Sequence, residues 1–289
     1  MSSRLSSTRA GAIAAGLLAA AGVSRADAPI DAKTLPKELN GVGITEHLND
    51  VIPLDLQFND ETGRAVTLRE YFKPDRPVIL TINFYRCGML CNLTLNGMVN
   101  ALNELEWSAG KEFEIVTVSM NPDEKPELAD VKKRAYLTQY SRETAKDGWH
   151  FLTGDLANID ALCKATGFGY RKIADDDYAH TSTIMFLTPD GRLSRYMNDV
   201  MFQPRDVRLA LVEASQGAIG SPMDKFLLFM CYHYDPLKGS YAASAAKIMR
   251  LGGVLTVLAL AAGMTLLWWK HSHTRPTIDA APAVPDPVA

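Results

Sequence analysis

Short apolar runs alternate with helical patterns through the middle of the chain. Continuous hydrophobic runs at 77–85 and 113–120 are typical of strands that are buried on both faces. Between them, residues 90–105 place apolar side chains at helical spacing. Further helices are predicted at 126–140, 156–165 and 204–214, and further strands at 149–153, 182–187 and 193–196. The alternation predicts parallel strands with helices on both faces and an antiparallel hairpin near the end.

This order of elements, β-α-β followed by a helix and a ββα unit, is the order of the thioredoxin fold. We therefore predict an α/β domain of thioredoxin-like fold over residues 40–220, with a central mixed sheet flanked by helices. A Pro-Asp-Gly turn at 189–191 supports the predicted hairpin. The chain contains neither an internal repeat nor a second predicted core.

Both ends of the chain have membrane-related patterns. Residues 1–26 combine an early basic region, an apolar stretch and small residues before a predicted cut, as in a secretory signal peptide. The alternative is a disordered or core-helix N-terminus. Residues 247–269 are predicted to be a transmembrane helix, because their last 19 residues carry no charge and span about 28 Å as a helix. Trp268 and Trp269 lie at its end, where indoles favour the membrane interface.

The signal peptide decides the predicted orientation, because basic residues flank the membrane helix on both sides. We expect a bacterial inner-membrane protein whose main domain faces the periplasm or the cell exterior. Residues 221–245 are then a juxtamembrane connector with a short apolar helix, and residues 270–289 a cytoplasmic tail. The cysteines of such a protein lie in an oxidising compartment.

Composition narrows the classes of function. The chain has 30 basic and 33 acidic residues, a net charge of −3 and no dense basic cluster, so a nucleic-acid partner is not expected. A hydrophobic content of 47% is that of a folded chain rather than a disordered one. Four cysteines among 289 residues are too few for a disulfide scaffold. The cysteines are therefore not expected to take the place of a hydrophobic core.

Cys87 and Cys91 lie in the sequence FYRCGMLCN, between the first buried strand and the following helix. A spacing of four residues places both sulfurs on one helical face, about 5–6 Å apart, which also permits a disulfide. A helix N-terminus lowers the pKa of a thiol and favours the thiolate. The pair is therefore suited to redox chemistry, to binding of a soft metal, or to both. A structural disulfide is the alternative, although so small a loop gives little entropic stabilisation.

His180 lies in YAHTSTIMFL, before the strand that a thioredoxin-like fold places opposite the cysteines, where a proline is expected. Two thiolates and one imidazole suit copper, because sulfur ligands select Cu(I) and imidazole accepts Cu(II). A single histidine is more often a surface or hydrogen-bonded residue. Its expected place beside the cysteine pair favours the role of ligand.

Over about residues 45–215 the chain resembles the Sco/SenC family of thioredoxin-fold, copper-binding proteins that assist cytochrome c oxidase assembly. The resemblance depends on Cys87-x-x-x-Cys91, Val118–Pro122, Phe151–Gly154, His180-Thr181-Ser182 and Thr188–Gly191. It implies Cys87, Cys91 and His180 as copper ligands, and a copper-containing oxidase subunit as the client. The membrane helix is C-terminal here, whereas many members of the family carry it at the N-terminus.

Three functions follow from these residues. The first is a membrane-anchored copper chaperone that delivers the ion to a respiratory oxidase. The second is a thiol–disulfide oxidoreductase, with Cys87 and Cys91 as catalytic dithiol, that keeps the cysteines of a client reduced and itself needs a thiol reductant. The third is a non-catalytic adaptor within a respiratory membrane complex.

Other residues carry weaker signals. Met89, between the cysteines, could supply a thioether to copper, but we expect its side chain to pack on the domain or to shield the site. Cys163 is expected to be a buried apolar residue. Cys231 and His233 could form a second metal site, although a structural role is favoured. The acidic residues 175–177 are expected at a solvated hairpin tip that could guide a cationic partner.

Overall fold

A five-stranded mixed sheet forms the centre of the folded domain. The computed structural model describes residues 40–174, 177–216, 222–226, 232–235, 240–243 and 245–273. The strands are β1 Gly43–Ile44, β2 Gln57–Asn59, β3 Ala65–Thr67, β4 Val78–Asn83, β5 Glu114–Ser119, β6 Trp149–Leu152, β7 Phe168–Ala174, β8 Asp177–His180, β9 Ile184–Leu187, β10 Leu193–Met197, β11 Tyr232–Asp235 and β12 Ser240–Ala243. The helices are α1 Leu90–Asn103, α2 Pro126–Gln139, α3 Ala145–Gly148, α4 Leu156–Thr166, α5 Pro204–Ala214, α6 Pro222–Phe226 and α7 Ala245–His273, with a 3-10 helix at Leu68–Tyr71.

The central sheet has the strand order β10-β9-β4-β5-β6. Strands β4, β5 and β6 run parallel, with Val78 opposite Glu114 and Asn83 opposite Ser119. Strand β9 is antiparallel to β4, and β10 to β9. This topology confirms the predicted thioredoxin-like α/β fold. Because parallel strands end at the same edge of a sheet, the segments that follow β4 and β5 lie side by side.

Two hydrophobic cores cover the two faces of the central sheet. Every residue of β4 and β5 is buried, as the continuous apolar runs predict. Alternate side chains serve opposite faces, so that Ile79 joins the core under α1, α2 and α5, whereas Leu80 joins the core under α4. The helices found at the predicted positions therefore close both faces of the sheet.

Strands β7 and β8 form an antiparallel hairpin. The sequence predicts a hairpin tip at 175–177 but does not delimit the two strands beside it. Strand β1 adds to the other side of β7, which gives a separate three-stranded sheet. Most of β7 is exposed, and its mixed polar sequence lacks the apolar run that marked the central strands. His180 is the last residue of β8, so this hairpin determines its position.

Close backbone packing joins α1 to the segment after β10. A Cβ atom on Gly97 of α1 would lie 2.0 Å from the carbonyl oxygen of Val200, so this contact requires glycine. On the same side, the Ser182 hydroxyl hydrogen bonds to the Thr94 hydroxyl at 2.7 Å and donates to the Asp199 carbonyl. These contacts connect the start of β9 to the helix that carries Cys91.

Helix α7 contains Met249–Trp269, a segment of the described chain that is long and apolar enough to cross a membrane. Its apolar side chains are exposed, as is expected of a candidate membrane helix rather than a core helix. The predicted signal peptide at 1–26 lies outside the described residues, as does most of the predicted tail at 270–289. The short helix α6 lies within the predicted connector at 221–245.

Candidate metal centre

The two cysteines approach each other from a loop and from a helix. Strand β4 ends at Asn83 and α1 begins at Leu90, so Cys91 lies in the first helical turn while Cys87 precedes the helix. The expectation of both sulfurs on one helical face was therefore wrong. The loop instead turns at Cys87, whose backbone N–H donates to the Phe84 carbonyl at 3.1 Å. Both cysteines are free thiols.

His180 completes the group that the sequence predicted. One sulfur or nitrogen atom from each of Cys87, Cys91 and His180 lies within 4.8 Å of the others, and this is the one such group of possible ligands in the part of the chain that the structure describes. The Cys91 Sγ and His180 Nε2 atoms are 2.9 Å apart. The structure thus brings together all three predicted ligands, although His180 follows Cys91 by 89 residues of sequence.

The imidazole of His180 is held in an orientation that suits a ligand. Its Nδ1 lies 2.9 Å from the Thr181 carbonyl oxygen, which can only accept, so Nδ1 carries the proton. In the neutral ring, Nε2 then presents its lone pair toward Cys91. A hydrogen bond from the far ring nitrogen is the usual arrangement for histidines that bind metals.

The two thiols have opposite electrostatic environments. A hydrogen bond from Cys91 lowers the pKa of Cys87 to about 4, against the effect of burial and with further help from the backbone N–H groups of Cys91 and Met89. The same interaction and burial raise the pKa of Cys91 well above its usual range. Cys91 is 2% exposed, whereas Cys87 is partly accessible. Cys87 therefore has both the lower pKa and the greater exposure of the two thiols.

This asymmetry predicts selective alkylation of the metal-free protein. Because the Cys87 thiolate persists above pH about 4, its rate with iodoacetamide should be nearly constant from pH 6 to 8. A thiol of ordinary pKa near 8.5 would gain about 100-fold over that range. Cys91 should stay unmodified. Rates are measured for each cysteine separately by peptide mass spectrometry.

Cys91→Ala is the control for this experiment, because it removes the hydrogen bond that lowers the pKa of Cys87. The rate at Cys87 should then rise with pH. A wild-type rate that rises about tenfold per pH unit would contradict the assignment of Cys87 as a stabilised thiolate.

Glu124 is a site residue that the sequence did not predict. It is 2% exposed, and its carboxylate accepts hydrogen bonds from the backbone N–H groups of Tyr85 at 2.9 Å and Arg86 at 2.8 Å. Burial raises the pKa of Glu124, against the effect of these bonds. The residues that it holds directly precede Cys87. Its sequence signal was an acidic residue just before the proline-opened helix α2.

The weaker candidates have different outcomes. Met89 is 70% exposed, so its side chain does not pack on the domain, and the alternative expectation that it shields the site stays a prediction. Cys163 is buried in α4, as expected. Cys231, the side chain of His233, and residues 175 and 176 of the acidic run lie outside what the structure describes, while Asp177 is exposed. No second metal site is therefore assigned.

The donor set fits a soft metal ion. Two sulfur atoms and one imidazole nitrogen favour copper over hard cations such as Mg²⁺ or Ca²⁺, which prefer oxygen ligands. The separations of the three donors are comparable to what bonds of about 2.0–2.3 Å to one first-row metal can span. The partial exposure of Cys87 leaves an approach for such an ion from solvent.

Several solved structures are similar to this chain. A candidate electron transfer protein from Aquifex aeolicus VF5 shares 21% identity over 58% of this chain and 94% of its own, with a TM-score of 0.52, a likeness that shows the fold. BsSco, a Sco-family cytochrome c oxidase assembly protein with a disulfide switch, has 21% identity over 61% and 97%, with a TM-score of 0.46. Copper-bound ScoI from Bradyrhizobium japonicum has 20% identity over 58% and 98%, with a TM-score of 0.40.

A comparison with curated protein sequences gave no match. The sequence profile of the SCO1/SenC family, in contrast, matches residues 47–214. That range is more than half of the 289 residues and contains the central sheet together with Cys87, Cys91 and His180. The chain belongs to the SCO1/SenC family.

Proposed function

We propose that the protein is a membrane-anchored copper chaperone that assists assembly of a copper site in a respiratory cytochrome c oxidase. The observation that carries this proposal is the convergence of Cys87, Cys91 and His180 within 4.8 Å. Membership of the SCO1/SenC family supports it. Copper is the cargo of this function, and a copper-containing oxidase subunit is the client.

The three ligands have distinct tasks in this proposal. Cys91 is the buried anchor of the ion, because its sulfur already accepts the Phe84 N–H at 3.2 Å and lies against His180. Cys87 supplies a thiolate at neutral pH, since its pKa is lowered. His180 supplies a nitrogen that accepts either copper oxidation state. Donor atoms of a client can reach the ion from the side of Cys87 and replace that ligand first.

The membrane helix keeps the chaperone near an embedded oxidase. Residues 247–269 are proposed to anchor the chain in a bacterial inner membrane, which the apolar length of Met249–Trp269 supports. The domain at 40–220 would face the periplasm, the connector at 221–245 would lie beside the bilayer, and the tail at 270–289 would be cytoplasmic. The predicted signal peptide at 1–26 supports this orientation.

Thiol–disulfide exchange is a second candidate function, which the low pKa of Cys87 favours. The Cys87 thiolate would attack a client disulfide, form a mixed disulfide and release one client thiolate. Cys91, after losing its proton, would then attack Cys87, release the second client thiolate and close a Cys87–Cys91 disulfide. The client gains two electrons, which an external thiol reductant restores to the pair.

Copper titration of the full chain tests the first function. The purified protein, reduced in detergent and kept anaerobic, should bind one Cu(I) per chain, measured by competition with a chromogenic chelator. A matched sample, alkylated with N-ethylmaleimide after denaturation and then refolded, should bind none at the site. Equal binding by both samples, or no binding by the reduced protein, would contradict the proposal.

A further inference from the structure

The turn between β5 and α2, defined here as Ser119–Glu124, touches both halves of the metal centre. The cysteines are contributed by the segment after β4, whereas His180 is contributed by the β7–β8 hairpin. Because these two segments come from distant parts of the sequence, tertiary contacts must set the distance between the cysteines and His180. The contacts of the Ser119–Glu124 turn connect to each of them.

Glu124 holds the cysteine side of the site. Its two carboxylate oxygens receive the successive backbone N–H groups of Tyr85 and Arg86. The Ser119 hydroxyl donates to the same carboxylate and so ties it to the end of β5. A buried carboxylate that accepts three hydrogen bonds holds its donors firmly, because loss of any one of these bonds leaves the buried charge less well satisfied. The backbone just before Cys87 is therefore fixed to β5.

Asn121 holds the histidine side. Its side-chain oxygen accepts from the Tyr178 hydroxyl at 3.2 Å and from the backbone N–H of Asp123 at 3.0 Å. Asn121 is fully buried and Tyr178 is 9% exposed, so water competes little for this bond. Tyr178 precedes His180 by two residues on β8 and points to the same face of the strand. The hairpin that carries His180 is thus tied to the same turn.

We propose that the Ser119–Glu124 turn is the positioning element of the metal centre and sets the distance between its cysteine loop and its histidine hairpin. This inference rests on the proposed copper function. Neither Glu124 nor Asn121 is assigned as a ligand, and both act through the backbone segments that carry the ligands. The affinity of the site for copper then depends on two hydrogen-bonded contacts that never touch the ion.

Glu124→Gln tests the cysteine side. The amide replaces one acceptor oxygen by an N–H donor that faces other donors, so the loop before Cys87 is released. In the metal-free protein, hydrogen exchange at the Tyr85 and Arg86 amides should accelerate. Cu(I) affinity of the full chain, measured by chelator competition, should fall about 10–100-fold, the usual cost of losing a partner that orients a ligand.

Glu114→Gln is the matched control. Glu114 is also 2% exposed, lies at the opposite end of β5 and pairs with Arg76 at 2.8 Å. Its substitution removes a buried charge of the same kind far from the site. We expect lower stability to denaturant but unchanged copper affinity and unchanged exchange at Tyr85 and Arg86. Parallel losses of affinity in both glutamine variants would show a general structural effect and overturn the proposal.

Tyr178→Phe tests the histidine side, since it removes one hydroxyl and leaves the ring in place. Copper affinity should fall, and the nitrogen contribution to the spectrum of the Cu(II) form should change. In the double variant with Glu124→Gln, the loss should be smaller than the product of the two single losses, because both tethers act through one turn.

Separate outcomes identify which proposal has failed. If the wild-type protein binds no copper, the chaperone function is contradicted. In that case, hydrogen exchange at the Tyr85 and Arg86 amides of Glu124→Gln still reports whether Glu124 holds the loop before Cys87. Wild-type protein that binds copper, with affinity kept in both Glu124→Gln and Tyr178→Phe, overturns the positioning role alone.

Discussion

Substitution of Cys91 by serine is expected to abolish tight copper binding. The Cys91 sulfur is the buried centre of the site, where it contacts both the Phe84 N–H and His180 Nε2. A serine hydroxyl is a hard, protonated oxygen that Cu(I) binds poorly. The loss should exceed the about 10–100-fold typical of substitutions that act only through a ligand's partner. Cys87→Ser should cause a loss of the same order.

Chelator competition on the purified full chain measures this effect. Cys163→Ser is the matched control, because Cys163 is also buried but lies in α4, outside the group of three ligands. It should cost some stability and leave the copper affinity unchanged. Wild-type affinity in the Cys91→Ser variant would contradict the assigned site.

The double variant Cys87→Ser/Cys91→Ser extends the prediction to cells. Both the chaperone and the oxidoreductase functions require the thiols, so oxidase activity should fall to that of cells without the protein. A non-catalytic adaptor would keep its function in this variant. Full complementation, with the variant present at the wild-type level, would therefore favour the adaptor over both thiol-dependent functions.

Substitution of Trp149 by alanine is expected to lower the free energy of unfolding by about 3–5 kcal/mol. Trp149 is fully buried at the start of β6, and its ring centroid lies 5.2 Å from that of Phe151 and 5.5 Å from that of Tyr136. Its indole N–H donates to the Thr117 hydroxyl at 3.0 Å. Alanine would leave a cavity and remove this donor, both within the core under α2.

Chemical denaturation of the full chain, followed by loss of domain fluorescence or circular dichroism, measures the change. Trp107→Ala is the matched control: Trp107 is only partly buried, and the Arg208 guanidinium lies 4.3 Å from its ring centroid. Its loss should cost about 1 kcal/mol, in line with a partly exposed cation–π contact and modest burial. Equal effects of the two substitutions would contradict the assignment of Trp149 to the core.

The central sheet could be predicted because its signal is local. Strands β4 and β5 are continuous apolar runs, and α1 and α5 show helical spacing, so burial on both faces could be inferred directly. Strands β7 and β8 have no such signal. Strand β7 pairs with β8, which follows it directly, and also with β1, which precedes it by more than a hundred residues, so part of this sheet depends on tertiary contact rather than on a local pattern.

The three candidate ligands could be predicted from residue type, whereas the residue that holds the cysteine loop in place could not. Cys87, Cys91 and His180 are chemically conspicuous, and a thioredoxin-like topology places them together. Glu124 carries no such mark, because its function depends on two backbone N–H groups that only the folded loop directs toward it. The start of α1 at Leu90 agrees with the helix predicted over 90–105, whereas the turn that keeps Cys87 outside this helix was not predicted.

The long sequence separation within the centre has a consequence for folding. His180 and Cys91 are 89 residues apart in the sequence, and the folded topology, in which β9 pairs with β4, brings them together. Closing so large a loop is slow relative to formation of local turns and helices. An unfolded chain therefore offers copper only a local pair of thiols, and the complete set of ligands exists only in the native state. Because copper binds the complete set of ligands only in the folded domain, its binding at this site stabilises the folded state.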